Sequence, residues 1–112
     1  MEAKAVAKYV RLSPRKVQRL TQMIRGRPVN EAQALLRFVP TPAARVVEKA
    51  LKSAVANAEN NLELERGTLV VARAYVDEGP SMKRVQARAR GRADVMTRHS
   101  SHITIIVADS GR

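Results

Sequence analysis

Apolar and polar positions along this chain change period several times, and each change marks an element. From residue 3 to 12, Ala3, Ala5, Ala7 and Tyr9 alternate with Lys4, Val6, Lys8 and Val10, the two-residue period of a strand. Both sets contain apolar residues, so the pattern leaves the inward face open. Ser13-Pro14 predicts a helix start, with Ser13 as N-cap and Pro14 at the first helical position, where its missing N–H costs nothing. Val17, Leu20 and Ile24 then give one apolar stripe, and Gly26 with Pro28 beyond it ends the helix. A short second helix is expected from Asn30, capped by its own side chain, with Gln33 completing a near capping box. Its buried face would be Ala32, Leu35 and Leu36, and Pro40 closes it. Thr41-Pro42 opens the third and longest helix. Val47, Ala50, Leu51, Ala54, Val55 and Ala58 point inward there, and Arg45, Lys49 and Lys52 lie on the other side. It ends near Asn60-Asn61 unless Leu62 and Leu64 extend it.

Two strands follow. Thr68 to Asp77 places Val70, Ala72, Ala74 and Val76 on one face. Val95 to Asp109 alternates Ile103, Ile105 and Val107 against His102, Thr104 and Ile106. About 17 residues separate the two, which predicts an antiparallel ribbon that continues past the sheet. Pairing for ten residues up each side would give a reach of roughly 33 Å at ~3.3 Å per residue. The expected fold is α+β: three helices packed on a three-stranded antiparallel sheet, with a long basic β-hairpin extending from the body. One domain spans residues 1–112, and its arm runs from 77 to 98.

The 45% hydrophobic content supports a core, but Phe38, Tyr9 and Tyr75 are its only aromatic candidates. Without cysteine, disulfides and thiolate metal sites are excluded. The N-terminal residues lack the apolar stretch of a signal peptide, and no apolar run approaches the ~20 residues of a membrane span. Charge changes the picture more. A net charge of +11 identifies a polyanion as the partner and salt-sensitive attraction as the means.

That charge is concentrated in two places. Between Met82 and Ala93 the chain carries Lys83, Arg84, Arg88, Arg90 and Arg92 and no acid. Only Met82 and Val85 are large and apolar, so this segment cannot hold itself in place by burial and requires something densely anionic to order it. Ala87, Ala89 and Ala93 alternate with Arg88, Arg90 and Arg92, leaving one narrow side and one cationic side, while Gly91 lets the backbone bend or approach another chain. The second concentration is at the first helix. Arg15 and Lys16 occupy its first turn, where the helix dipole disfavours cations by about 0.3–1 kcal/mol each. Phosphate there would reverse that cost, held by free N–H groups and by the basic side chains together, with Arg11, Arg19, Arg25 and Arg27 around them.

Other chemistry is weaker. His99 and His102 are three apart and face opposite sides of a strand, so they cannot share a metal or a proton. A ribonuclease built on them is disfavoured on that ground. Asp77, Glu78 and Asp94 could resemble a metal cluster, but they sit where Arg73 and Arg98 need balancing. No phosphate loop, nucleophile elbow or metal motif is present. An architectural DNA-binding protein with a basic arm would need an apolar wedge at the tip, for which only Met82 and Val85 are available.

Several segments are specific enough to identify. Lys8-Tyr9-Val10-Arg11-Leu12-Ser13-Pro14-Arg15-Lys16, Ile24-Arg25-Gly26, Gly79-Pro80-Ser81-Met82-Lys83-Arg84, Arg88-Ala89-Arg90-Gly91-Arg92-Ala93 and Ser101-His102-Ile103-Thr104 resemble, in order and over nearly the whole chain, the bacterial large-subunit ribosomal protein L22 family. The resemblance implies an α+β body on the outer surface of the large subunit and a hairpin that runs into the 23S ribosomal RNA. It also implies a role in assembling that RNA, and a tip that lines the polypeptide exit tunnel near the macrolide site. Mapped onto this chain, the tunnel-lining tip would be Met82, Lys83, Arg84, Arg88, Ala89, Arg90, Gly91 and Arg92. The RNA contacts would add Arg11, Arg15, Lys16, Arg19, Arg25, Arg27, Arg98 and His99. The expected partners are 23S RNA, neighbouring large-subunit proteins and the nascent polypeptide. No enzyme activity, metal, cofactor, membrane or homo-oligomer is expected, and the place of action is the cytoplasmic ribosome.

Overall fold

A computed structural model describes residues 1–80 and 100–109 in full and the backbone pairing of 82–87 with 93–98. The element order is β1 (Glu2–Val10), α1 (Pro14–Ile24), α2 (Val29–Phe38), α3 (Pro42–Leu62), a single 3-10 turn (Arg66–Thr68), β2 (Leu69–Glu78), β3 (Met82–Ala87), β4 (Ala93–Arg98) and β5 (Ser101–Asp109). β1, β5 and β2 form an antiparallel sheet in that order, and β3 pairs antiparallel with β4 in a separate two-stranded ladder from Met82↔Arg98 to Ala87↔Ala93. This is the α+β arrangement expected from the sequence.

The inner face of the sheet is built in rows. Ala3, Val107 and Val71 lie side by side, then Ala5, Ile105 and Ala74, then Ala7, Ile103 and Val76. The central strand supplies the bulk and the flanking strands mostly supply alanine, which lets helices approach closely. α3 crosses β1 and β5, α1 lies on β2, and α2 packs against α3. Val17, Ile24, Leu36, Val47, Leu51, Ile103, Ile105 and Val107 are fully buried between these layers.

The strands after α3 depart from simple alternation at two places. In β2 the register shifts between Val71 and Arg73, with Ala72 as the extra residue. Side chains therefore change phase: Leu69 and Val71 point inward before the bulge, and Ala74 and Val76 after it. Strict alternation had placed Val70 and Ala72 on the inner face, but both are only half-buried. The bulge keeps every inward residue opposite an inward residue of β5, which one unbroken strand of this sequence would not do. The second irregularity divides the last predicted strand. Instead of running from Val95 to Asp109 it is β4 and then β5, and the Ser100 carbonyl accepts a hydrogen bond from Gly79 N–H at 2.9 Å. Asp77 and Glu78 pair with His102 and Ser101, so both belong to the body sheet.

Helix ends follow local chemistry, with two departures from the expected caps. Thr41 caps α3 by accepting from Ala44 N–H at 3.3 Å, as expected, and Glu63 ends it in the left-handed region at φ 54°. Gly26 follows α1 at φ +80°. Ser13 occupies the N-cap of α1, but its carbonyl, not its hydroxyl, receives the first helical N–H groups. α2 starts at Val29 rather than Asn30, with Pro28 before it and no side-chain cap. Asn30 and Gln33 are not a capping box because Arg66 takes both, donating to the Asn30 oxygen at 3.0 Å and to the Gln33 oxygen.

The aromatics also sit apart from the core. Phe38 is 86% exposed and Tyr9 67%, leaving Tyr75 at the surface of β2. The core is aliphatic throughout.

Candidate nucleic-acid interface

The fold divides its cations into two groups. One group is bound to the protein itself. Arg45 donates to the carbonyls of Leu36, Arg37 and Val39 at 2.6, 3.3 and 2.9 Å, closing the end of α2, and pairs with Glu48 at 3.0 Å. Lys52 reaches the same carboxylate at 3.8 Å. Arg73 pairs with Glu2 at 3.0 Å, and not with the neighbouring Asp77. Arg66 is held by Asn30 and Gln33. Arg25 reaches the Ala74 carbonyl through Nε at 3.2 Å and Nη2 at 2.7 Å, on the outer edge of β2. Arg27 bonds the Met23 carbonyl at 2.9 Å and the Glu31 carboxylate at 2.7 Å. Two of the residues expected to meet RNA, Arg25 and Arg27, thus already have intramolecular partners.

The second group faces water. Arg11, Arg15, Lys16 and Arg19 are exposed and make no side-chain hydrogen bond or ion pair with another described residue. The local reason is compositional. The chain has no acid from Ala3 to Asn30, and α1 has none in its first turn. Val17, Leu20, Thr21 and Ile24 turn one face of α1 to the core, which leaves Arg15, Lys16 and Arg19 to project outward. They border a groove of about 720 Å³ whose other walls are Leu12, Leu20, Val39, Thr41, Pro42 and Ala43. An apolar floor rimmed by unneutralised cations suits a ligand with both phosphate and flat or apolar parts. Lys4 and Lys8 are also exposed, on β1. The acid-free stretch from Ala3 to Asn30 contains both, so composition alone could have added them to the candidate RNA contacts.

Of the arm residues, Met82, Lys83, Arg84 and Arg98 fall on paired strands β3 and β4. The expectations placed on Arg88, Ala89, Arg90, Gly91, Arg92 and His99 lie outside the described residues. His102 is placed: its Nδ1 accepts the Tyr9 backbone N–H at 3.1 Å. Among the described residues no group of three His, Cys, Asp or Glu is arranged to hold a metal, and no helix is long and apolar enough to cross a membrane.

Comparison with known proteins agrees over almost the full length. Residues 5–108 match the family described as Ribosomal protein L22p/L17e. The chain is 55% identical to the large ribosomal subunit protein uL22 of Pelotomaculum thermopropionicum, over 97% of this chain and 96% of that one. It is 57% identical to the uL22 of Thermoanaerobacter sp. strain X514 and 55% identical to that of Clostridium tetani, in each case over 97% of this chain and 98% of the relative.

Proposed function

The chain belongs to the ribosomal protein L22 family, and from that membership and from its exposed cations without a partner among the described residues we propose that it binds 23S ribosomal RNA and lines the exit tunnel with its arm. It is a structural, non-enzymatic protein of the large ribosomal subunit, and as a bacterial ribosomal protein it acts in the cytoplasmic ribosome. The observation that carries the RNA reading is the exposure of Arg11, Arg15, Lys16 and Arg19 without a partner among the described residues. A folded protein that pairs Arg27, Arg45 and Arg73 with carboxylates and holds Arg66 on two amide oxygens, yet leaves these four without a partner among the described residues, keeps them available to an external anion.

Body and arm would divide the work within one domain. The aliphatic body anchors on RNA through the β1–α1 surface. The arm, with Lys83, Arg84, Arg88, Arg90, Arg92 and Arg98, is ordered by the phosphates around it and reaches the tunnel, where Met82 to Arg92 form or flank the wall. The small residues Ala89 and Gly91 suit a crowded passage between RNA and nascent chain. Together, contacts from body and arm bring separate RNA segments into register during assembly. Arg25, Arg27 and His99 are included as secondary contacts, the first two through guanidinium nitrogens not used within the protein. Neighbouring subunit proteins share the remaining surface.

Deleting Met82 to Arg84 tests the division. It removes two charges and shortens one side of the ladder, but leaves every core residue in place. The variant is expected to fold and enter the large subunit, with altered crosslinking from a tunnel-bound probe. Normal incorporation with unchanged crosslinking would take the arm out of the tunnel wall, and failure to incorporate would assign the arm to assembly instead.

A further inference from the structure

β1 does not reach its end regularly. Ala7 pairs with Ile103 and Val10 with Ser101, so one extra residue is accommodated between them. At this bulge Tyr9 has φ 57°, the left-handed position that glycine usually fills. A bulky residue there is strained, and such strain persists only where the surroundings enforce it. Here they do. The Tyr9 N–H donates to His102 Nδ1 at 3.1 Å, and the two rings meet edge-on with centroids 5.0 Å apart and planes at 88°. His102 is held in turn against Gly79, where an added Cβ would come within 3.3 Å of the imidazole and 2.5 Å of Ser100 Oγ.

Glycine or asparagine would make the same bulge at lower cost. What tyrosine adds is a ring, and the ring serves no core, since Tyr9 remains 67% exposed. A perpendicular contact with His102 covers one face at most, so a flat surface is left for another molecule. The flanking Lys8 and Arg11 are both exposed and have no ionic or hydrogen-bonded partner among the described residues. An open aromatic face with Lys8 and Arg11 close by in sequence, in a stretch without acid from Ala3 to Asn30, fits the two parts of a nucleotide: a base and its phosphates. The bulge lies at the end of the sheet where Ser101 is paired by Val10 on one side and Glu78 on the other, beside the point where the chain leaves for β3.

We propose that Tyr9, braced by His102, is a stacking platform for an unpaired RNA base at the root of the arm, with Lys8 and Arg11 on the adjoining phosphates. This rests on the RNA-binding reading above and gives it a specific site. A stacked base binds without adding an ionic contact, which separates this site from the cationic surface in experiment.

Tyrosine emission reads the site directly, because the chain has two tyrosines and no tryptophan. In the full chain carrying Tyr75→Phe, emission from Tyr9 is expected to be quenched on titration with purified 23S RNA. Tyr9→Ala is expected to weaken binding about 5- to 150-fold with an unchanged salt slope. Tyr9→Phe should retain affinity. Tyr9→Gly should lose affinity and at the same time raise the unfolding midpoint, since it removes the ring and the strain together. This last variant keeps the test valid even if Tyr9→Ala folds poorly. Wild-type affinity in both Tyr9→Ala and Tyr9→Gly, with unquenched Tyr9 emission, would overturn the platform and leave the RNA reading standing. Absence of RNA binding by the unsubstituted chain would overturn both.

Discussion

Replacing Arg15 and Lys16 together by glutamate is expected to lower affinity for 23S RNA by about 100-fold or more. Each cation is exposed, neither has an acid or carbonyl partner among the described residues, and both lie in the first turn of α1. The substitution removes two charge-assisted contacts and sets carboxylates against the phosphates that made them. Helix stability should move the other way, because acids in the first turn suit the helix dipole by about 0.3–1 kcal/mol each. A variant at least as stable as the parent but impaired in binding is therefore the expected result. Thermal unfolding and filter binding on the same preparation check both halves. Unchanged affinity would place the body's RNA contact on another surface.

The largest effect on stability is expected from Ile105→Ala. Ile105 is fully buried in the central strand, and its neighbours across the sheet are Ala5 and Ala74. Three alanines would then lie in one row beneath α3, with no larger side chain beside them to lean into the gap. Large-to-small changes at such sites cost about 2–5 kcal/mol, and this one belongs near the upper end because relaxation is blocked. Against a total stability of about 5–15 kcal/mol for a domain of this kind, that loss endangers the fold. Val6→Ala, on the outer face of β1, should change the stability read from urea unfolding little, within about 0.5 kcal/mol. Similar costs at both positions would mean that the rows across the sheet do not carry the core.

The contrast between these predictions follows the parts of the molecule that could be read from the sequence. Helices were legible because their signals are local: Val17, Leu20 and Ile24 recur within one segment, and Pro14 and Pro42 mark starts by their own chemistry. The features that escaped depend on distant partners. Asn30 and Gln33 look like a capping box until Arg66, 36 residues from Asn30, claims both side chains. Arg73 looks like the counterion of Asp77 until β1 brings Glu2 to it. The bulge at Ala72 is imposed by matching β2 to β5, and nothing within Leu69 to Glu78 announces it. In the sequence Tyr9 is one more residue of an alternating strand. Its left-handed backbone arises only when Ala7 and Val10 take their separate places opposite Ile103 and Ser101.

The candidate interface divides in the same way. Basic clustering at the first helix was visible from residue order alone. Which cations are available was not, since Arg25 and Arg19 differ little as letters but one is bound to the Ala74 carbonyl and the other is open to water. Charge counting overstates the RNA-facing surface wherever an arginine is already holding a helix end or a strand edge.

The division of cations into internal and RNA-facing sets is tested most directly by the salt dependence of 23S RNA binding in single glutamine variants. Arg11, Arg15, Lys16 and Arg19 each changed to glutamine should reduce the slope of log affinity against log salt by about 0.7–0.9. Arg45→Gln and Arg73→Gln should leave the slope as it is and lower stability instead, because Arg45 closes the end of α2 and Arg73 ties β2 to β1. Equal slope changes in the two sets, or none in either, would contradict the assignment of the β1–α1 surface to RNA.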